Sequence, residues 1–306
     1  MFLYMIYLTI FLLILIIIYM ILITPDYTGK QKASFLVGKN IAHRALYNNE
    51  KGVAENSIEA AKKSVLCGFG MEFDLQLSSD GEVMVFHDDD LMRMTGKEGS
   101  ICDYTRRELQ EISLLGTNQT IPTLKQYLEI ADGKVPLIIE IKGGKQNTLL
   151  CETASKILDD YNGNFVVESF YPDILYWFRK NRPNYIRGQL ALVMKKNEES
   201  FIRRFVLANL LTNCITKPHF IAYNHEDVKN LSFRICRAHG VMTAGWTIDN
   251  LSSYKNATTI FDTIIFEKIL PANDYMPIKN ERPEILKPAK GELSTNSNQQ
   301  NIDNQK

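Results

Sequence analysis

The chain has 306 residues, a length that an α/β barrel fills as a single domain. Lysine plus arginine and aspartate plus glutamate balance at 35 each, so no overall basic field argues for a nucleic-acid partner, and we expect none. The five cysteines are scattered without a CxxC pair, a pattern that favours idle thiols in a reducing compartment over a zinc or redox centre.

The first 24 residues, Met1 to Thr24, carry no charged side chain, and about 20 apolar residues suffice to cross a bilayer as a helix. A cleaved signal peptide would show a basic start, a shorter apolar core and a small-residue cleavage site, none of which is visible. We therefore predict a single-pass membrane anchor over residues 1–24, with the lipid bilayer as a partner. Lysines follow this segment and none precedes it, so the positive-inside tendency places the rest of the chain in the cytoplasm.

Short apolar runs alternate with helix-length amphipathic stretches after the anchor, a pattern typical of a parallel sheet covered by helices. About eight such units in roughly 240 residues favour a (β/α)8 TIM barrel over an open sheet. We place this barrel at residues 36–279. The predicted strands are 40–43, 71–77, 82–87, 136–141, 164–169, 188–194, 219–223, 241–247 and 263–266, and the predicted helices include 57–66, 148–160, 173–181, 199–211 and 227–239.

One connection leaves no room for a crossover helix. Asp80-Gly81, between the second and third apolar runs, is a hairpin signal, so these two strands are predicted to be antiparallel. The hairpin would bring His87 back beside Glu72 and Asp74. The following stretch, about residues 88–120, has few strand signals, and we interpret it as an insertion that caps one side of the site.

The chain ends in a polar segment rich in Asn, Gln and Ser, residues 280–306. Such a composition cannot bury enough apolar surface to offset its ordering entropy. We predict a disordered tail.

Two strands carry charged residues in i, i+2 pairs, Glu72 with Asp74 and Glu140 with Lys142, so the members of each pair point to one face. A single pair is explained by a polar face turned to solvent. Parallel strands are covered on both faces, however, so a buried Glu140 and Lys142 must be paired or bind a ligand. The three carboxylates together predict a hard-oxygen site for Mg²⁺ or Ca²⁺ rather than zinc.

Other polar residues end neighbouring strands, at the carboxyl ends where barrel active sites lie. His43 and His87 would flank the carboxylates as general acid and base, and Arg44 and Lys142 would contact a phosphate. This combination indicates in-line displacement at phosphorus, with one histidine taking a proton and the other giving one. Trp246, in a late strand, is interpreted either as a residue lining the substrate pocket or as a barrel-packing aromatic.

The stretch from Ile41 to Lys142 carries six short motifs in order, and with them it resembles the glycerophosphodiester phosphodiesterases, within the phosphatidylinositol phospholipase C-like phosphodiesterase superfamily. The motifs are His-Arg, Glu-Asn-Ser, Glu-x-Asp, His-Asp, Arg-x-Thr and Glu-x-Lys. They stand here at His43-Arg44, Glu55-Asn56-Ser57, Glu72 to Asp74, His87-Asp88, Arg93 to Thr95, and Glu140 to Lys142.

The resemblance implies a distorted barrel, a divalent metal, and hydrolysis of a glycerophosphodiester to an alcohol and glycerol 3-phosphate. Its metal ligands, acid and base, and phosphate contacts coincide with those assigned above from the residues. It adds Asn56, which would help to shape the first loop beside the substrate.

The sequence departs from the family pattern at three places, of which Ala54, where a proline is common before Glu55, is a minor one. Ala45 stands where a glycine is expected, which adds a Cβ near the substrate. The run "TIIFEKIL" replaces the usual Thr-Asp, so the resemblance assigns no role to Glu267. Asp88 is left with two interpretations, a hydrogen-bond partner that orients His87 or the first residue of the next loop.

Three alternative functions remain open at this point. The enzyme would act on lysophospholipids in the manner of a lysophospholipase D, or a hydroxyl of a lipid substrate would attack phosphorus to give a cyclic phosphate. Alternatively, the barrel would be a non-catalytic module tethered to the membrane.

Overall fold

Nine strands form one sheet in the computed structural model of the chain, which describes residues 1–194 and 200–271. Each strand lies on one of the predicted apolar runs. The strands are β1 (Asn40–Ala42), β2 (Gly70–Leu77), β3 (Val83–Val85), β4 (Leu137–Ile141), β5 (Phe165–Ser169), β6 (Arg187–Ala191), β7 (Phe220–Asn224), β8 (Met242–Ile248) and β9 (Thr263–Phe266).

Eight of these strands are parallel and close into a barrel, because β1 pairs with both β9 and β2. The predicted TIM barrel is confirmed. β3 is the ninth strand, and it pairs antiparallel with β2, Leu75 opposite Val85 and Leu77 opposite Val83, as the Asp80-Gly81 signal predicts.

The barrel is distorted where β1 and β3 share one edge of β2. β1 pairs only with Gly70 and Met71 at the start of β2, and β3 pairs with residues 75–77 at its end. The chain therefore leaves β1 early, at His43, and its next residues cross above the middle of β2.

Twelve helices accompany the strands in the described ranges. They are α1 (Phe2–Leu22), α2 (Gly29–Lys32), α3 (Ile58–Cys67), α4 (Met92–Thr95), α5 (Arg106–Glu111), α6 (Leu124–Ala131), α7 (Asn147–Leu158), α8 (Pro172–Asn181), α9 (Phe201–Ala208), α10 (Asn213–Thr216), α11 (Leu231–Ala238) and α12 (Leu251–Ala257).

The predicted helices 57–66, 148–160 and 173–181 differ from α3, α7 and α8 by one or two residues at their ends. α11 begins later than predicted because the Asn224 side chain caps a 3-10 turn over His225–Asp227 and the Asn230 side chain then caps α11 itself. α9 ends at Ala208, before Leu210 adopts a positive φ of 57°. Part of the predicted helix 199–211 lies outside the described residues.

Three clusters of apolar side chains can be described within residues 1–194 and 200–271. One fills the barrel interior, with Ile41, Ile138 and Phe220 among its members, and a second lies between the sheet and helices α3, α6, α7 and α8. The insertion after β3 has a third cluster of its own, built around Leu91, Ile101 and Leu109. The insertion therefore has a core distinct from the barrel interior.

α1 is long and apolar enough to cross a membrane, and its apolar window is not buried against the rest of the chain. By length and composition, a signal sequence passes the same test. The predicted tail, residues 280–306, lies outside the described residues.

Candidate active site

Three carboxylates meet inside the barrel at the carboxyl ends of β2 and β4. Glu72 and Asp74 alternate along β2, and Glu140 on β4 stands opposite Asp74 in the parallel register. One oxygen from each residue lies within 4.8 Å of the others, and all three side chains are buried. The predicted convergence of these residues is present in the fold.

Burial and neighbouring carboxylates raise the proton affinity of two of the three carboxylates, Glu72 and Glu140. Burial raises the pKa of Glu72, and the charges of Asp74 and Glu140 add to that effect. Burial also raises the pKa of Glu140 to about 7. Burial opposes the ionisation of Asp74 as well, but the Lys142 ammonium, 3.6 Å away, lowers its pKa overall.

This cluster fits a divalent cation. Asp74 Oδ1 is buried without a hydrogen-bond partner in the described chain. Lys142 Nζ lies 3.2 Å from Glu140 Oε1, whereas the nearby Arg44 guanidinium is paired with a fourth carboxylate, Glu55. A hard cation such as Mg²⁺ or Ca²⁺ prefers oxygen ligands of this kind and would offset the remaining negative charge.

His43 follows β1 and is held by a carboxylate from β9. Because Ala42 pairs with Phe266, the next residues of the two strands are neighbours, and His43 Nδ1 lies 2.9 Å from Glu267 Oε2. His43 Nε2 lies 3.9 Å from Glu72 Oε2, on the side of the carboxylate cluster. Burial lowers the pKa of His43, and the Glu267 hydrogen bond acts in the opposite direction.

His87 lies at the end of the hairpin, where Phe86 N donates to the Asp74 carbonyl at 3.0 Å. Its Nδ1 is 2.7 Å from Asp88 Oδ1. Arg93 Nε donates to the other oxygen, Asp88 Oδ2, at 2.6 Å. Of the two interpretations of Asp88, the structure supports the one in which it orients His87.

Glu55 links the two sides of the site. It is buried and accepts hydrogen bonds from Arg44 Nη1 at 2.6 Å and from two nitrogens of Arg93. Asn49 Nδ2 donates to its second oxygen at 2.9 Å. Glu55 therefore positions Arg44, and through Arg93 it also positions the Asp88 carboxylate.

The loop after β1 takes an unusual backbone path. Arg44, Ala45 and Asn56 have φ values of 52°, 61° and 55°, in the left-handed region that non-glycine residues seldom adopt. The turn aims Arg44 N at Glu72 Oε2, 2.9 Å away, and Asn56 Nδ2 donates to Asp74 Oδ2 at 2.9 Å. The Ala45 methyl group packs in the apolar cluster between the sheet and the helices.

Two further side chains stand at the ends of β5 and β8. Glu168 pairs with Glu140 in the register and is buried, and burial raises its pKa well above the usual range. Trp246 packs edge-on against Phe170 at 5.6 Å. Its buried Nε1 has no hydrogen-bond partner among the described residues, which leaves that donor available to a ligand.

Sequence reasoning assigned no role to Glu267, Glu55, Arg93 or Glu168. A signal for Glu267 was present, since it directly follows the last apolar run and His43 directly follows the first, and these runs close a barrel. No comparable local signal links Glu55 to Arg93, which are separated by helix α3 and the β2–β3 hairpin.

Comparison with known families and proteins agrees with the geometry of this site. Residues 43–269 match the model of the glycerophosphoryl diester phosphodiesterase family. A glycerophosphodiester phosphodiesterase from Caldanaerobacter subterraneus subsp. tengcongensis is 38% identical over 220 residues, which cover 68% of this chain and 85% of that protein.

Solved structures share the fold. A phosphodiesterase from Oleispira antarctica, in complex with the product sn-glycerol-3-phosphate, superposes with a TM-score of 0.63 at 22% identity, over 77% of this chain and 94% of that one. A glycerophosphodiester phosphodiesterase from Thermotoga maritima gives a TM-score of 0.55 at 27% identity, over 74% of this chain and 93% of that one.

Proposed function

Because the chain belongs to the glycerophosphoryl diester phosphodiesterase family, we propose that it hydrolyses glycerophosphodiesters to an alcohol and glycerol 3-phosphate in a metal-dependent reaction. One observation carries the proposal. Two histidines, each with Nδ1 paired to a carboxylate, flank three buried carboxylates whose oxygens lie within 4.8 Å of one another.

The two imidazoles exchange protons with the reacting groups. Glu267 and Asp88 hold Nδ1 of His43 and His87, which leaves Nε2 of each ring for general acid–base catalysis. One ring removes a proton from the attacking water and the other protonates the departing alcohol. The bond between phosphorus and the alcohol oxygen breaks, and phosphate remains on the glycerol.

Cationic side chains bind the phosphoryl oxygens. Arg44 and Lys142 reach the site from β1 and β4, and each is oriented by a carboxylate, Glu55 for the first and Glu140 for the second. Asn56 orients Asp74, and Trp246 offers an indole N–H to the substrate.

Glu72, Asp74 and Glu140 would hold the divalent ion, Mg²⁺ or Ca²⁺. When bound, it would stabilise negative charge on the phosphoryl oxygens.

The apolar helix α1 would anchor the enzyme in a membrane as a single-pass protein, with the barrel on the cytoplasmic side. Retention of α1 is favoured by its contacts. Ile23, just past its end, is 1% exposed, and its carbonyl accepts a hydrogen bond from Asn213 Nδ2 at 3.0 Å. A leader that is removed would not supply a buried residue to the mature fold.

The proposal is tested by release of glycerol phosphate from glycerophosphocholine by full-length protein in mild detergent. His43→Ala and Glu72→Ala should each lower kcat by about 10²-fold or more, because they remove a proton carrier and a metal ligand. Asp89→Ala is the matched control, since Asp89 is exposed beside the same site. Full activity of either site variant, with normal circular dichroism, would refute the assignment.

A further inference from the structure

The end of α1 runs along the side of the barrel beside α11. Tyr19 Oη lies 2.7 Å from Ser232 Oγ, in the first turn of α11. One turn further along both segments, the Ile23 carbonyl accepts a hydrogen bond from Cys236 Sγ at 3.3 Å. The two segments therefore run in the same direction.

That direction determines on which side of the barrel the rest of α1 lies. Each helix of a βα barrel begins near the carboxyl ends of the strands and runs back towards their amino ends. Ser232 is therefore near the barrel mouth, and the chain after α1 reaches the opposite end, where Asp26 N donates to the Pro218 carbonyl at 2.9 Å. Residues 2–18 precede Tyr19, so they project past the mouth by roughly 25 Å.

Exposed apolar side chains lie at the end of the barrel past which α1 projects. In the first turns of α9, Phe201 and Ile202 are each 73% exposed and Phe205 is 53% exposed. Arg203, between Ile202 and Phe205 in the sequence, lies 4.9 Å over the ring of Tyr171, two residues past the end of β5. This contact places α9 at the mouth.

The helices after β7 and β8 also begin with exposed leucines, Leu231 and Leu251. We call these five side chains the apolar rim: Phe201, Ile202, Phe205, Leu231 and Leu251. They follow three consecutive strands, and α11, which α1 contacts, carries one of them. The rim is thus continuous with the base of the apolar helix.

We propose that the mouth of the barrel faces the bilayer that α1 crosses, with the apolar rim seated in the interfacial layer. The inference rests on the membrane anchoring proposed above. α1 carries no charged side chain from Phe2 up to Tyr19, where it contacts α11, so no charged spacer separates the membrane-crossing stretch from the rim. Exposed Phe and Ile beside arginine are the composition of an interfacial helix.

This orientation indicates a substrate class for the active site formed by the carboxylates and histidines. A glycerophosphodiester that carries one acyl chain, a lysophospholipid, has its phosphate at the height of the interfacial layer. It would reach the carboxylates and histidines from the membrane surface without leaving it. A barrel with its mouth turned away from the bilayer would receive only dissolved substrates.

The orientation is tested by tryptophan quenching in vesicles whose phospholipids are brominated in the acyl chains near the head groups. Phe201→Trp places a reporter on the rim. Leu66→Trp is the matched control, because Leu66 is 67% exposed near the end of α3, at the opposite end of the barrel. Wild-type protein supplies the background from Trp177 and Trp246.

We expect quenching above that background for Phe201→Trp and none for Leu66→Trp. Quenching of Leu66→Trp alone, or of neither reporter, would overturn the proposed orientation. Hydrolysis of dissolved glycerophosphocholine by the same samples is measured in parallel. Its absence in wild-type protein would contradict the proposed function and leave the quenching result to stand independently.

A second arm measures substrate delivery. Phe201→Ser combined with Phe205→Ser should lower hydrolysis of vesicle-borne lysophosphatidylcholine several-fold and leave hydrolysis of glycerophosphocholine unchanged. Leu66→Ser should change neither rate. Equal rates of the double variant and wild-type protein on the vesicle-borne substrate would contradict a rim that seats the mouth at the lipid surface.

Discussion

The two histidines of the site are distinguished from free imidazoles by what their Nδ1 atoms contact. Glu267 binds His43 and Asp88 binds His87, and both contacts are shorter than 3.0 Å. A carboxylate at Nδ1 selects the tautomer with the proton on that nitrogen and stabilises the imidazolium. Each ring is therefore prepared to act at Nε2, one as the general base and the other as the general acid.

A substrate whose leaving group needs no proton separates the two roles. On glycerophosphocholine, His43→Ala and His87→Ala should both lose about 10²- to 10⁴-fold in kcat, the usual contribution of a general acid or base. On glycerol phosphate esterified to nitrophenol, the variant that lacks the general acid should recover most of its rate. Comparable losses of both variants on both substrates would contradict this division of labour.

Part of this site could be predicted from single residues. Glu72, Asp74, Glu140 and the two histidines interrupt or end apolar runs, where a barrel leaves only lumen or mouth for a polar side chain. Glu267 was not predicted, because its run departs from the family motif and its partnership with His43 depends on barrel closure. The contacts of Glu55 depend on the fold of the capping insertion, which local periodicity does not describe.

At the scale of elements, strands were more predictable than helix ends. All nine strands are short apolar runs bounded by turn residues. This pattern can be recognised in the sequence without knowledge of the tertiary contacts. Helix starts depend on which Asn or Ser side chain acts as the cap, and α11 begins after its cap Asn230, later than the predicted start at residue 227. Helices α6 and α12 were not among the predicted ones.

The Gly143-Gly144 pair after β4 offers a matched test of packing at the mouth. A Cβ on Gly143 would lie 2.1 Å from the Tyr171 ring, whereas a Cβ on Gly144 would meet nothing within 4 Å. Gly143→Ala should therefore lower the free energy of unfolding by about 1–3 kcal/mol through overpacking. Gly144→Ala should stay within about 0.5 kcal/mol of wild type. Equal effects in urea unfolding would show that Tyr171 does not occupy this space.

At the scale of the whole molecule, the base of the barrel holds a buried histidine. His219, at the start of β7, is 1% exposed, and its Nδ1 accepts a hydrogen bond from Arg187 N at 3.1 Å. Burial, together with the Arg187 and Lys32 charges, lowers the pKa of His219 from 6.5 to about 4. The neutral ring thus belongs to the folded state, and the unfolded chain takes up a proton at higher pH.

Stability should consequently fall in mild acid. Because the folded pKa of His219 is depressed, its contribution is complete above pH 6.5 and is lost as pH falls towards 4. The loss should reach up to about 3 kcal/mol in the free energy of unfolding, measured by urea titration at both pH values. His219→Gln should remove this part of the pH dependence, and an unchanged dependence in the variant would assign it to other groups.

The central claim is that the buried carboxylates and the two histidines together hydrolyse a glycerophosphodiester with the help of a divalent cation. Phosphorus NMR of glycerophosphocholine incubated with the full-length protein tests it most directly. We predict a growing glycerol 3-phosphate resonance that EDTA abolishes and that excess Mg²⁺ or Ca²⁺ restores. A spectrum without glycerol phosphate in any arm, or a rate that EDTA leaves unchanged, would contradict the account.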